Sequence, residues 1–400
     1  MSVDTQARVG RYLLFKSLKK GGMARVFLGL DPDEPERLLA IKTLLPNLVK
    51  DRIYREMFAS EGKVGVRLEH PNIVRTFEHG VEKGTPYIVM DFLFGFDLST
   101  VLRRMRTDGE NLPVPLAVTL ARHVASGLAH AHALCDEFDR PLDIVNRDVS
   151  PGNIMIGFDG RVRLIDFGIA QTTIDVKSQI GSIKGKISYM APEQVRGLPV
   201  DHRVDLFSLG TVLYEALTGV QPFNDEGDFA TMEKVRRAEA PPPSAHRADI
   251  DAALDKLVAR AMARDASDRF QHAEDMVEAF DGWLEAHGGP VSVEAFAQFM
   301  RTLFEQRITE MMADIETAKR RALGGQTHPP GEPDLPSEPG RLISEDMLAE
   351  IAGLAPEPAV LEPIVPPPAA RSPGEGRGLW IGLAALALVA IAGLIWATLR

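Results

Sequence analysis

VNRDVSPGNIM at residues 145–155, followed by LIDFG at residues 164–168, is the stretch that decides the reading of this chain. Asp148, Asn153 and Asp166 supply a carboxylate that can aim a hydroxyl and two hard oxygen ligands that can hold magnesium. That is the equipment of phosphoryl transfer, a reaction that asks little covalent work of a protein and much positioning and charge compensation. Each motif alone is weak, because an Asp-Phe-Gly triplet can be a strand-end turn and an Asn-Arg-Asp triplet a surface turn. Their joint spacing carries the weight.

Upstream, residues 10–30 read as two β-rich runs joined by a glycine turn, whose backbone amides at Gly21 and Gly22 can cover phosphates. After the acidic residues 31–36 comes LLAIK, where Lys42 ends an apolar strand and would reach the α and β phosphates. Glu61 lies on the helical pattern that precedes HPNIV at residues 70–74 and is the expected ion-pair partner of Lys42. The ordinary alternatives are a hairpin turn and a solvated lysine, and the order of the pieces argues against both.

With these residues in place, the chain resembles the bacterial members of the eukaryotic-like serine/threonine protein kinases over residues 11–285. The resemblance implies an α+β, bilobal protein-kinase fold with a small β-rich N-lobe and a large helical C-lobe. It implies ATP with Mg2+, or Mn2+, as cofactors and protein hydroxyls as acceptors. Asp148 would position the acceptor, with Lys42 and Glu61 completing the catalytic set, while Asn153 and Asp166 hold the metal. KKGGMARV at residues 19–26 is similar to the glycine loop of that branch, and YIVMDF at residues 87–92 to its hinge. By the same likeness Val26, Ala40 and the gatekeeper Met90 would line the nucleotide site, Asp91 and Leu93 would meet adenine through their backbone, and Asp97 would lie near the ribose. YMAPEQ at residues 189–194 resembles the end of an activation segment, and residues 205–219 the central buried helix of the large lobe. Asp205 would brace the catalytic loop, and Glu193 would pair with Arg269. Arg147 would bind a phosphate placed on the activation segment at Thr172, Thr173, Ser178 or Ser182, so autophosphorylation there is expected.

Several positions depart from the family pattern. Lys19 and Ala24 stand where loop glycines are usual, which would stiffen the loop. Asn146 replaces a histidine that packs beneath Phe167, a change expected to loosen the active arrangement. Ser150 replaces the lysine that commonly contacts the γ-phosphate, and Lys186 replaces a threonine that helps select the acceptor. These substitutions define the rival reading, a pseudokinase scaffold that binds partners or nucleotide without transferring phosphate.

Four hundred residues with 45% hydrophobic content suffice for a two-lobed core and additional segments. A formal charge of −11 gives no nucleic-acid footprint, and the single cysteine, Cys135, excludes an intrachain disulfide framework. His130 and His132, two apart on a predicted helix, point to different faces and read as surface or packing residues. The small lobe is expected over about residues 11–91 with one helix near 51–68, and large-lobe helices near 116–135, 202–218, 252–263 and 273–286.

Beyond the kinase-like region, residues 291–323 carry apolar side chains at three- and four-residue steps, among them Phe296, Met300, Phe304, Ile308, Met312 and Ile315. This predicts an amphipathic helical extension whose apolar face packs on the large lobe or on a second copy of the chain, with a partner-binding helix as the alternative. Residues 324–378, rich in proline, glycine and acid, read as a disordered linker. Residues 379–399 contain no charge and would extend roughly 32 Å as a helix, close to the ~30 Å hydrocarbon core of a bilayer. A single transmembrane helix is therefore expected, with Trp380 and Trp396 near its ends and Arg371 and Arg377 on the kinase side. The expected location is the cell membrane with the kinase region in the cytoplasm and no sensor domain beyond the span. Gly382, Ala385 and Ala392 would permit homodimer contacts within it.

Overall fold

The computed structural model describes residues 7–167 and 186–323. The four expected phosphoacceptors, the linker and the expected span lie outside the described residues. All described residues belong to one compact unit. Among them, no helix is long and apolar enough to cross a membrane.

The small lobe opens with β1 (Arg8–Val9), β2 (Tyr12–Lys20), β3 (Ala24–Asp31) and β4 (Glu34–Leu44), followed by helix α1 (Arg52–Gly65), β5 (Thr76–Glu82) and β6 (Thr85–Asp91). The strands form one antiparallel sheet in the order β1-β2-β3-β4-β6-β5. Side chains alternate across a strand, so β4 sends Leu39 and Ile41 into one apolar cluster with Tyr12 and Val89, and Ala40 into another with Met90, Ile88 and Phe58. Lys42 shares the parity of Ala40 and is paired in register with Val26 and Ile88. Alternation alone therefore places the lysine on the face that looks into the cleft. Helix α1 starts at Asp51, whose carboxylate accepts a hydrogen bond from the Ile53 amide. Met57, Phe58, Glu61 and Gly62 form its buried stripe, so helical periodicity turns Glu61 inward as well. Gly62 permits the approach of β5, since a Cβ there would lie 2.6 Å from that of His79.

The large lobe begins with β7 (Gly95–Asp97), α2 (Leu98–Thr107) and α3 (Val114–His132). Next come β8 (Ile154–Gly157) and β9 (Val162–Leu164), which complete a three-stranded sheet, β7-β8-β9. Helices α4 (Pro192–Arg196), α5 (Arg203–Thr218), α6 (Asp228–Arg237), α7 (Ala252–Ala261) and α8 (Ala273–Ala286) follow. Every residue of α5 after Arg203 is buried, in accord with a helix apolar on all sides.

The extension differs from a single amphipathic helix. It consists of α9 (Val293–Leu303) and α10 (Glu305–Leu323), broken at Phe304. Helix α9 packs on the large lobe through Phe296, Ala297 and Met300, and it runs so close to the β8–β9 turn that only a glycine fits at Gly160. A Cβ at Gly160 would lie 1.9 Å from the Val293 carbonyl oxygen. Phe304 sets its ring 4.4 Å from that of Phe96, which in turn meets Phe158 at 5.7 Å. From there α10 crosses to the small lobe and packs on β2, with Ile315 buried and Met312, expected on the apolar face, exposed.

Candidate active site

Strand β4 and helix α1 bring Lys42 within 2.5 Å of Glu61 Oε1, and the same Nζ lies 2.9 Å from Asp166 Oδ1. Burial opposes a charge on Lys42, but the attraction of Asp166 and Glu61 and their hydrogen bonds outweighs it and holds the ammonium above its ordinary range. Glu61 is pushed upward, first by burial and then by the nearby Asp166, with Lys42 opposing. For Asp166 burial also acts upward, yet Lys42 prevails and the carboxyl is held below the usual carboxylate range. One cation thus bridges an acid from each lobe.

The catalytic-loop residues are set by Asp205, wholly buried in the first turn of α5, where a negative side chain suits the helix dipole. Its carboxylate accepts hydrogen bonds from the backbone amides of Asn146 at 2.8 Å and Arg147 at 2.7 Å. His132 completes the arrangement, with Nε2 2.8 Å from the same carboxylate. The sequence reading placed His132 among surface or packing residues, and its partner lies 73 positions away, so spacing to His130 carried no signal of this contact. Arg147 adopts φ 64°, the left-handed region that costs a non-glycine residue energy and that Asp205 and its neighbours maintain.

Asn146, expected to loosen the site, makes two hydrogen bonds within it. Its Nδ2 donates to the Asp166 carbonyl at 3.1 Å and its Oδ1 accepts from the Asp148 amide at 3.0 Å, tying the loop to the strand end that carries Asp166. Phe167 is buried beside them. Asn153 Nδ2 donates to the Asp148 carbonyl and to Asp148 Oδ2, which leaves its amide oxygen for another ligand. A magnesium ion fits this donor set, since Asn153 and Asp166 offer hard oxygen atoms and phosphate oxygens would complete the shell. Among the described residues no cluster of three or more His, Cys, Asp or Glu could hold a metal by itself.

Above the catalytic loop, the Gly21 amide closes the β2–β3 turn on the Ala24 carbonyl, and a Cβ at Gly22 would meet nothing within 4 Å. Lys19 reaches down from this turn, its Nζ 3.1 Å from the Gly152 carbonyl oxygen. Val26 and Leu93 pack at the edge of the cluster that holds Ala40 and Met90, which makes an apolar wall at the hinge. The Asp91 amide is bonded to the Arg75 carbonyl, and the Asp97 carboxylate caps α2 by accepting from the Thr100 amide. Glu193 and Arg269 form a two-pronged pair at 2.7 and 2.8 Å, with the arginine side chain fully buried. A cavity of about 670 Å³ lies elsewhere, between the hinge and α9–α10, lined by Leu93, Phe158, Arg163, Arg301 and Ile308 among others. Its lining shares Asp91 and Leu93 with the hinge and does not include Asp148.

Residues 12–280 match the protein kinase domain. The chain belongs to that family. It is 36% identical to the tyrosine-protein kinase MasK of Myxococcus xanthus, over 96% of this chain and 64% of that protein. It is 34% identical to the serine/threonine-protein kinase PknH of Mycobacterium tuberculosis, over 70% of this chain and 43% of that protein. The kinase domain of Mycobacterium tuberculosis PknI, solved by crystallography, matches 70% of this chain and 99% of its own length with 28% identity and a TM-score of 0.54. The chain thus spans just under two thirds of the first of these relatives and less than half of the second.

Proposed function

We propose that the chain is a membrane-tethered protein kinase that transfers the γ-phosphoryl group of ATP to serine or threonine hydroxyls and phosphorylates its own activation segment. The observation that carries this reading is Lys42 held between Glu61 and Asp166, with Asp148 and Asn153 fixed in the same cleft. Lys42 would engage the α and β phosphates, Gly21 and Gly22 would cover them, and the hinge at Met90, Asp91 and Leu93 would take adenine against Val26 and Ala40. Asp97, at the mouth of the large lobe, would serve the ribose. Bound magnesium would offset phosphate charge, held by Asn153 and Asp166. Asp148 orients the acceptor hydroxyl and takes its proton as the oxygen bonds to the γ-phosphorus. The bond to the bridging oxygen breaks and its electron pair leaves on ADP. Arg147, with Thr172, Thr173, Ser178 and Ser182 as candidate acceptors, would couple autophosphorylation to order in the activation segment. The uncharged residues 379–399 support anchorage in the cell membrane, with the kinase facing cytosolic ATP.

Incubation of wild type, Asp148→Asn and Lys42→Met with labelled ATP and magnesium tests the reading. Label on wild-type serine or threonine, and on neither variant, is expected. Equal labelling of all three proteins would reject it, and label confined to tyrosine would reassign the acceptor.

A further inference from the structure

The cleft has a cation that the mechanism above leaves unused. Lys186 Nζ lies 2.5 Å from Asp148 Oδ2, the same oxygen that accepts from Asn153 Nδ2 at 2.8 Å. Its backbone is fixed, because the Lys186 carbonyl accepts from the Tyr189 amide and Tyr189 is held by Glu215 and Gln221 in the large-lobe core. Its side chain is 44% exposed, so the head group has room to move while its base stays put. Among the described residues the other cleft lysines are committed, Lys42 to Glu61 and Asp166 and Lys19 to the Gly152 carbonyl. The catalytic loop itself supplies no ammonium, since the position two residues beyond Asp148 is the buried, uncharged Ser150.

Resting on the kinase reading, we propose that Lys186 reaches the transferred γ-phosphoryl group from the activation-segment side and supplies the cation that the catalytic loop lacks at Ser150. The acceptor oxygen aimed by Asp148 must meet the γ-phosphorus, so an ammonium in contact with that carboxylate lies beside the transferring oxygens. Negative charge on those oxygens is then matched during transfer without a lysine in the loop.

The test uses the full chain with magnesium and compares ADP with the β,γ-imido analogue of ATP by calorimetry, alongside steady-state kinetics. Lys186→Met is expected to weaken the analogue about tenfold while ADP affinity stays within about twofold, and to lower kcat about 10²-fold with KM for ATP raised in step with the loss of analogue affinity. Ser150→Lys in that background should restore kcat at least about tenfold, because it returns an ammonium to the same phosphoryl group from the loop. Lys186→Gln is measured beside it, and a melting profile like that of wild type excludes misfolding. Equal effects on both nucleotides, no effect on either, or an increase in kcat that marks Lys186 as a lock on Asp148 would each overturn the assignment. If wild type binds both nucleotides and transfers nothing, the kinase reading falls, while the analogue-to-ADP comparison still decides whether Lys186 faces the γ-phosphate.

Discussion

The two lobes are joined at the front and at the rear by different physics. In the cleft the link is a buried ammonium between Glu61 and Asp166, each acid from a different lobe. Behind the hinge it is apolar: Phe304 seated against Phe96, followed by α10 lying on β2 with Ile315 buried. A buried charge pair contributes little net stability, because desolvation offsets most of its attraction, whereas burial of aromatic surface is stabilising outright. The front link is therefore suited to being rearranged by a ligand. The rear link is suited to persisting while that happens.

If this division holds, activity and stability respond to different substitutions. Glu61→Gln should have the largest effect, lowering kcat about 10³-fold, since Asp166 would then be left alone to balance the Lys42 charge and be drawn from the metal. Its melting temperature should stay within a few degrees of wild type, because burial already disfavours the Glu61 charge and the amide still accepts from Lys42. Kinetics and calorimetry on one preparation check both halves, and a large loss of stability at retained kcat would reverse the assignment. Phe304→Ala should show the opposite profile. A loss of about 3 kcal/mol is expected from emptying its place among Phe96 and neighbouring rings, with kcat reduced less than about tenfold. Hydrogen exchange should localise the new opening to α9 and α10. Catalysis abolished while those helices stay protected would show that the rear contact serves the cleft directly.

The front was legible in the sequence because its chemistry is carried by few residue types at short, characteristic separations. Strand parity and helical periodicity then turn Lys42 and Glu61 to the same side, so local rules were enough. The rear was legible only in part. An amphipathic face over residues 291–323 states that something covers it, but not that α9 would take the large lobe and α10 the small one. The break at Phe304 has no glycine or proline to announce it, and apolar spacing runs straight through. Tertiary packing against Phe96 decides it. Helix α2 is absent from the expected helices, and Asp97, expected near the ribose, caps it ahead of the LSTVL run. His132 and Lys186 mark the other limit, since both act through partners, Asp205 and Asp148, tens of residues away.

The smallest effects sharpen the comparison most, because the rear link also carries charges. Lys16 pairs with Asp314 at 3.0 Å, and Lys319 with Glu36 at 3.0 Å, both from the small lobe to α10. In the first pair both side chains are open to solvent, and in the second Glu36 is 92% exposed, so water and salt screen what the distances suggest. Lys16→Ala and Glu36→Ala should therefore each cost less than about 1 kcal/mol, and added salt should change the wild-type melting temperature little. The double variant should be roughly additive, since the pairs share no residue. A double variant that loses more than about 2 kcal/mol, or that releases α10 to proteolysis while Phe304 stays buried, would mean that the rear is held by charge as the front is. The contrast between a rearrangeable link and a persistent one would then have no basis.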